Sequence, residues 1–263
     1  MDDYPVKVGS MLFTLVDPTL GSEVAYNRWY ERDHYYGGCL TGPWLFAGSR
    51  WVSTRPLKDL RYSDGTGEVC DPVDKGSWVS IYWVEAGHHD DHFDWARKQV
   101  YKLYSDGRGF NERVHAHTIL ADRPRAVYRD PDGVPLELAL DHRYDGLISV
   151  ALDRTDGTTE EELNEYLDMV ALPALVADSS IAIASSWKPE LREGEAPMDL
   201  GTLPGTEARQ MQLMFVDEKP ESSWADVQAY VAAVDASGKA TVRWAGPFYP
   251  TVVGTDTYVD QIW

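Results

Sequence analysis

The same order of strands and helices occurs twice in this 263-residue chain, and that repetition limits the folds it can adopt. In each half an apolar strand is followed by a helix, two strands, a second helix and a last strand. Landmarks recur about 132 residues apart, so that Arg55-Pro56 corresponds to Lys188-Pro189. The sequence therefore predicts two βαββαβ units, residues 1–133 and 134–263.

A βαββαβ unit forms a four-stranded antiparallel sheet with both helices on one face, which leaves the other face apolar and uncovered. Two such units in one chain can cover each other, sheet against sheet. We therefore expect an α+β fold in which two tandem ferredoxin-like repeats close into one intramolecular barrel. The alternative is two ordinary domains that lie side by side.

The composition limits the partners of the protein. The chain has 43% hydrophobic residues, enough for a normal core, and a net charge of −19. Nucleic acids and anionic membranes bind basic surfaces, so neither is an expected partner. The first residues do not resemble a signal peptide, and no apolar run reaches membrane-spanning length. We expect a soluble, cytoplasmic protein that binds a small-molecule substrate, with Cys39 and Cys70 as free thiols.

The stretch from Glu23 to Arg55 is unusually dense in aromatic and charged side chains. It predicts a helix over residues 23–36, an end of that helix at Gly37-Gly38, and a strand over residues 44–54. In the second unit, Thr159-x-x-Glu162 predicts a capping box at the start of the corresponding helix. Residues 56–76 and 189–207, rich in Gly, Pro and acidic residues, are predicted to be loops.

His34 lies in the last turn of the first predicted helix, where an imidazole can exchange a proton near neutral pH. The neighbouring Asp33 and Tyr30 can orient that ring or share its proton. The position equally suits a histidine that only binds the carbonyl groups at the helix end. Arg50, on the next strand, can hold a carboxylate or an enolate, or form an ion pair with an acidic residue of the protein.

Further side chains can line a pocket, although each also suits the core. Aromatic residues accept flat, apolar ligands, and a tyrosine adds a hydroxyl that forms hydrogen bonds. His115 and His117 are two residues apart on a predicted strand, which places both rings on one face. They equally suit an exposed or hydrogen-bonded strand pair. The candidates for substrate binding are Tyr26, Tyr36, Trp44, Arg50, Trp51, Trp83 and His117.

A histidine cluster lies at the start of the second predicted helix. His88 and His92 are four residues apart, a spacing that can bind a metal ion once both lie on the helix, and His89 lies between them. Acidic residues beside them are ordinary helix caps, so no metal site is expected. The sequence lacks a Walker loop, a G-x-G-x-x-G motif and a nucleophile elbow, which disfavours nucleotide hydrolysis, nicotinamide chemistry and serine hydrolysis.

The chain resembles the dimeric α+β barrel superfamily, in its fused tandem form, and the motifs that carry the resemblance lie in the first unit. The helix AYNRWYERDHYY is similar to the W-Y-x-x-x-H helix end of EthD-like members, here Trp29, Tyr30 and His34. The segment GPWLFAGSRW resembles their second strand, which follows a proline and ends in an arginine–aromatic pair, here Arg50-Trp51. In these families the pocket usually lies between a sheet and its helices, and the helix-end histidine often acts as an acid, a base or an oxyanion partner.

The resemblance implies a cofactor-independent lyase, isomerase or cyclase that acts on a small, largely apolar carbonyl compound, either aromatic or polyketide-like. His34 would move the proton, while Tyr30 and His115 would stabilise the oxyanion. Two other functions stay open. One is a cofactor-free or haem-dependent monooxygenase, and the other is a non-catalytic protein that binds small ligands.

The second unit departs from this pattern. Carried across by the offset between Pro56 and Pro189, His34 corresponds to Leu167, and no histidine follows His142. By the same offset Trp51 corresponds to Ala184. We therefore expect the chemistry in the first unit and packing in the second. Because the fusion already supplies two units, either a monomer or a homodimer is expected.

Overall fold

The computed structural model describes residues 4–190 and 207–263, and in this part of the chain it has nine strands and six α-helices. Two of the helices, α1 and α4, continue as π-helices at Tyr30–Leu40 and Leu167–Ala171. In chain order the elements are β1 (Val8–Pro18), α1 (Glu23–Trp29), β2 (Leu45–Val52), α2 (Arg55–Leu60), β3 (Tyr62–Ser63), β4 (Trp78–Glu85), α3 (His89–Ser105), β5 (Arg113–Tyr128), β6 (Gly146–Arg154), α4 (Glu160–Tyr166), α5 (Leu172–Ala177), β7 (Ile181–Pro189), β8 (Arg209–Val216), α6 (Trp224–Ala236) and β9 (Ala240–Pro250).

Eight long strands form a closed barrel in the order β2-β4-β1-β5-β7-β8-β6-β9, with β9 pairing back to β2. The first unit supplies β2-β4-β1-β5 and the second supplies β7-β8-β6-β9, the strand order of a βαββαβ sheet in each case. Closure leaves none of the eight with an unpaired edge. The predicted fold, two tandem ferredoxin-like repeats packed as one barrel, is confirmed.

Large side chains fill the inside of the barrel. Trp83 and Trp187, one from each unit, stack with their ring centroids 4.8 Å apart. Trp51, Trp244 and Phe215 are each at most 1% exposed in the same cluster. The barrel is therefore a packed core in which the sheets of the two units bury one another.

The helices cover the outer faces of the two sheets. The predicted end of the first helix at Gly37-Gly38 is wrong, because the helix continues in π form to Leu40. A Cβ atom at Gly38 would lie 3.3 Å from both Nδ1 of His34 and Cδ1 of Leu103. The glycine therefore permits a close approach inside the helix and does not end it.

The predicted capping box, the two predicted loops and the predicted division of the chain have different outcomes. The capping box of α4 is confirmed, since Thr159 Oγ1 accepts from Glu162 N at 3.1 Å and Thr159 N donates to Glu162 Oε2 at 2.8 Å. The predicted loop over residues 56–76 contains α2 and the short strand β3. Most of the predicted loop at 189–207 lies outside the described residues. The division of the chain after residue 133 stays a prediction.

The segment that follows β9 returns to the first unit. Ile262 is fully buried and Val259 is 8% exposed, both in the cluster between the first sheet and α1. Gly254 N donates to Glu31 Oε2 at 3.0 Å, and Asn27 Nδ2 donates to the carbonyl of Thr255 at 2.9 Å. Within the described residues, no helix is both long and apolar enough to cross a membrane.

Candidate functional site

A row of polar side chains crosses the outer face of the first sheet. The strand registers place Arg50 of β2 opposite Ser80 of β4, Ser80 opposite Thr14 of β1, and Thr14 opposite Thr118 of β5. Side chains of neighbouring residues on a strand alternate between faces, so all four lie on the side covered by the helices. Polar groups here interrupt a face that otherwise packs against apolar and aromatic residues.

Arg50 is the charged residue of this row, and 4% of its surface is exposed. Its guanidinium lies between two rings, 4.5 Å from the centroid of Tyr30 and 4.9 Å from that of Trp78. Nη1 donates to Asn27 Oδ1 at 3.0 Å and lies 3.4 Å from Glu31 Oε1. Nε and Nη2 are buried and have no hydrogen-bond partner among the described residues.

Tyr30 joins the row from the helix above it. It is 2% exposed, and its hydroxyl lies 3.0 Å from that of Tyr82. Burial raises the pKa of Tyr30, while hydrogen bonds to Ser80 and Tyr82 and the charge of Arg50 oppose that shift. The phenol therefore keeps its proton at neutral pH and can donate it in a hydrogen bond.

His34 lies one helical turn after Tyr30 and is partly buried. Its ring stacks on Trp29 at 5.2 Å and meets Tyr30 edge-on at 4.9 Å. Burial is the largest cause that lowers the pKa of His34 to about 3, and the charge of Arg113 is the next. The imidazole is therefore uncharged at neutral pH. Nδ1 of His34 lies close to Gly38, so this nitrogen faces the helix to which His34 itself belongs.

Asp33 does not orient His34, contrary to the first of the two roles predicted for it. Its carboxylate accepts from Arg32 Nη2 at 2.6 Å and from Arg108 Nε at 2.7 Å. Burial raises the pKa of Asp33, but these two guanidinium groups outweigh it and the net pKa is lowered. Asp33 thereby ties the helix to the segment that connects α3 to β5.

His115 has both ring nitrogens engaged. Nε of Arg113 lies 3.3 Å from its Nε2, and since a guanidinium only donates, that nitrogen is the acceptor. Nδ1 therefore carries the hydrogen, which it donates to Thr118 Oγ1 at 2.9 Å. The hydroxyls of Thr118 and Thr14 are 2.9 Å apart and extend this chain along the polar row. Burial, followed by Arg113, lowers the pKa of His115 to about 4.

The prediction that His115 and His117 share one face is wrong. His115 pairs with Val16 and His117 pairs with Leu15, so the residue between them is the extra residue of a β-bulge. The bulge rotates the strand and turns His117 into the barrel, where its ring centroid is 6.5 Å from that of Phe13. Burial is the main cause that lowers its pKa to about 3.

The sheet separates the predicted residues into two main groups. Tyr26 packs with its ring centroid 5.6 Å from that of Tyr30, in the cluster between the first sheet and the helices. Trp51 and Trp83 point into the packed barrel, as His117 does, and therefore lie on the opposite side of the sheet from His34. The group on the helix side consists of Tyr26, Tyr30, His34, Arg50 and His115.

Tyr36 and Trp44 belong to neither group, because each is on the surface. Tyr36 is 50% exposed and Trp44 is 44% exposed. The ring of Trp44 stacks on His88 at 3.6 Å. Neither side chain has the enclosed position predicted for substrate binding.

Four residues that the sequence did not single out also belong to the site. Thr14, Ser80 and Thr118 complete the polar row, and Arg113 holds His115. A signal was present for two of them, since Thr14 and Ser80 are small polar residues inside largely apolar strands. Because side chains alternate between the two faces of a strand, residues of different strands can be assigned to one face only when the strand register is known.

The histidines at the start of α3 have structural partners. His92 is 2% exposed and its Nδ1 lies 2.8 Å from the carbonyl oxygen of Pro43. His89 Nε2 lies 2.6 Å from Glu190. Across residues 4–190 and 207–263, no group of three His, Cys, Asp or Glu side chains is arranged to hold a metal ion. Cys39 and Cys70 are buried, unpaired thiols, as predicted.

An open cleft of about 430 Å³ lies on the second unit, away from this site. It is rich in acidic side chains, and its one arginine, Arg129, is paired with Asp217. None of the predicted site residues lines it. Its lining residues are Arg129, Asp178, Ser179, Ser180, Asp217, Glu218, Ser222, Ser223 and Asp226.

No protein-family model and no curated protein matches the sequence. Solved structures share the fold over almost the whole chain. An anthrone oxidase-like protein matches with 12% identity and a TM-score of 0.50, over 96% of this chain and 98% of its own. A haem-bound DypB variant of Rhodococcus jostii RHA1 matches with 10% identity and a TM-score of 0.53, over 93% and 94%. A dye-decolorizing peroxidase of Bacteroides thetaiotaomicron VPI-5482 matches with 9% identity and a TM-score of 0.52, over 99% and 97%. At these identities the likeness shows the fold alone.

Proposed function

We propose that this dimeric α+β barrel, with both of its units in one chain, is a cofactor-independent lyase, isomerase or cyclase. Its substrate is a small, largely apolar carbonyl compound from which His34 moves a proton. The observation that supports this most is an uncharged imidazole one helical turn from a phenol that is stacked on a buried guanidinium. Charge that develops on a substrate oxygen beside these donors would be stabilised.

The chemistry assigns a separate role to each group. The imidazole of His34, uncharged at neutral pH, takes a proton from the carbon next to the carbonyl group through the ring nitrogen that carries no hydrogen. The electron pair of that C–H bond moves to the carbonyl oxygen, which becomes an enolate stabilised by a hydrogen bond from the Tyr30 hydroxyl and by the nearby positive charge of Arg50. The proton on His34 then returns to another carbon or to a leaving group, which completes an isomerisation or an elimination.

The aromatic shell favours a flat, apolar substrate. Tyr26, Trp29 and Phe110 pack around Tyr30 and His34 with ring centroids 5.2 to 6.1 Å apart. Such a shell excludes water, which strengthens the electrostatic contribution of Arg50. His115 has both nitrogens occupied by protein groups, so its proposed role is to fix Thr118 and Thr14.

The test is proton exchange in D2O, followed by NMR over a panel of aryl ketones and aryl-substituted keto acids. His34→Ala is expected to lower the exchange rate at least a hundredfold, within the usual contribution of a general base. His142→Ala, a substitution at an exposed histidine, is the matched control and is expected to leave the rate unchanged. Full activity of folded His34→Ala protein would refute the role of His34.

The pH dependence gives a second readout of the same group. Because the pKa of His34 is lowered to about 3, the unprotonated base persists well below pH 6.5. We expect kcat/KM to stay constant between pH 8 and pH 5, because this ratio reports groups of the free enzyme. A loss of half the activity near pH 6.5 would show that an ordinary, exposed histidine carries the reaction.

A second candidate is a cofactor-free monooxygenase, which the likeness in fold to an anthrone oxidase-like protein favours. Oxygen uptake with an electron-rich phenol would distinguish it from proton transfer alone. Two of the described histidines do not fit haem, because His115 has both nitrogens bonded and His117 faces the packed barrel. We therefore assign no step to that group.

A further inference from the structure

Arg50 is a buried arginine of which only one side is used by the protein. Nη1 is engaged by Asn27 and Glu31, whereas Nε and Nη2 have no hydrogen-bond partner among the described residues. These two nitrogens lie on one edge of the planar guanidinium, and their N–H bonds point in the same direction. A buried donor without a partner destabilises the folded protein, so such an edge is not neutral for stability.

The same chain shows which group satisfies this edge. Arg209 is 1% exposed, and its Nε and Nη2 donate to the two oxygens of the Asp153 carboxylate, the latter at 3.1 Å. Two parallel hydrogen bonds to one carboxylate are the preferred pairing of this edge. Arg50 presents the same pair of donors at similar burial, but without a partner among the described residues.

The charges around Arg50 favour an anion as well. Glu31 is within salt-bridge distance of Arg50, and no acidic side chain of the described residues pairs with the neighbouring Arg113. The guanidinium of Arg113 lies over the ring of Trp29 at 4.7 Å and donates to His115 and the carbonyl of Phe110. The site therefore carries an excess of positive charge in a protein whose net charge is −19.

We propose that the Nε and Nη2 edge of Arg50 binds the carboxylate of the substrate, and that the substrate is an aryl or unsaturated carboxylic acid. This inference names the substrate class of the proposed enzyme and rests on that proposal. Rings of Tyr30 and Trp78 fix the plane of the guanidinium, so the carboxylate is held in one orientation. Its hydrocarbon part then lies among the aromatic side chains next to His34.

Binding also has a consequence for His34. The guanidinium groups of Arg113 and Arg50 contribute to its lowered pKa. A bound carboxylate would offset part of their charge and raise that pKa towards its ordinary value. The ligand would thereby make His34 a stronger base in the complex than in the free protein.

Access requires a movement of the shell, because Arg50 is 4% exposed. Part of its cover is the segment after β9, which bonds to Glu31 and Asn27 through Gly254 and Thr255. Binding that waits for such an opening has an association rate below the usual range for preformed sites.

The test uses 4-fluorobenzoate and its uncharged analogue 4-fluorobenzamide as probes, with 19F NMR titration of the full chain. We expect the acid to bind at least tenfold more tightly than the amide. Arg50→Lys keeps the charge but lacks the two-donor edge, and is expected to weaken binding of the acid at least tenfold. Arg50→Met is expected to remove the preference for the acid. Arg55→Gln, at a partly exposed arginine paired with Asp59 and Asp74, is the control and should change nothing.

Equal affinity of the wild-type protein for acid and amide would overturn the inference without any variant. Unchanged binding of the acid by folded Arg50→Lys protein would also overturn it. The two proposals fail separately. Arg50-dependent binding of acids without His34-dependent exchange would refute the enzyme and keep the carboxylate site. His34-dependent exchange on ketones, combined with equal affinity for acid and amide, would keep the enzyme and refute the carboxylate site.

Discussion

The outer faces of the two sheets have the same fold but opposite chemistry. In both units the first helix turns from α to π form seven residues after its start, which makes Leu167 the counterpart of Tyr30 and Ala171 that of His34. With Trp51 and Trp187 equivalent inside the barrel, Ser186 stands where Arg50 does. The second unit therefore has aliphatic or small residues at each of these three positions.

The second unit shows what the fold itself requires of this face. Leu167 and Ile148 pack there in a largely apolar cluster. Two hydrogen-bonded groups interrupt it, one of Gln212, Ser186 and Tyr230 and one of Gln210 and Asn164. The fold thus needs no buried arginine at this position. A buried charge with unpartnered donors destabilises a protein, so its presence in the first unit is better explained by binding than by packing.

Acid should expose this difference most strongly, because three histidines of the first unit, one buried and two partly buried, have strongly lowered pKa values. Burial lowers the pKa of His34, His115 and His117 to about 3, 4 and 3, below the value of 6.5 for an unfolded chain. Their contribution to stability is complete above pH 6.5 and is lost as the pH falls towards the folded values. For the most buried of the three rings, the expected loss of stability at pH 5 is about 2 kcal/mol.

Urea unfolding between pH 7 and pH 5 measures this effect. His117→Leu is expected to flatten the dependence, whereas the exposed His142→Asn serves as the control and should leave its slope unchanged. The window lies above the ordinary pKa of carboxylic acids, so protonation of acidic residues adds little. A slope that His117→Leu does not alter would mean that this ring is solvated in the native state.

Inside the barrel we expect the two units to differ little. Trp51 and Trp187 are each at most 1% exposed, and replacement of either by alanine is expected to cost about 3 to 5 kcal/mol. Replacement by phenylalanine should separate them, because Trp187 Nε1 donates to Ser185 Oγ at 2.9 Å and Trp51 Nε1 has no partner among the described residues. We expect Trp187→Phe to cost about 1 kcal/mol more. Thermal unfolding of the four variants measures this, and equal costs would contradict the assigned partners.

The architecture could be predicted because it depends on periodicity and on repeated landmarks, which are local. The residues of the second unit that correspond to single residues of the first could not be predicted in the same way. The offset between Pro56 and Pro189 paired His34 with Leu167 and Trp51 with Ala184, whereas the structure pairs them with Ala171 and Trp187. The connection between a strand and its proline differs in length between the units, and a constant offset carries that difference into every element.

The site was predicted in part for the same reason. His34, Tyr30 and Arg50 come together because they lie on one helix and the adjoining strand, which the sequence indicates directly. His117 was misplaced because a bulge at Ala116 changes the face of a strand, and no local pattern around it indicates an extra residue. Arg113 was missed because its contact with Trp29 joins residues 84 positions apart in the chain.

The smallest expected difference is at the helix starts. Thr159 forms a full capping box with Glu162, while Ser22, at the same place in the first unit, makes no side-chain bond to its helix. Thr159→Ala should therefore lower the free energy of unfolding by about 1 kcal/mol, and Ser22→Ala should leave it nearly unchanged. Chemical denaturation of the two variants at pH 7 measures both. Equal losses would show that Ser22 caps α1 in solution, and the first helix would then be held by its own sequence as well as by the aromatic shell beneath it.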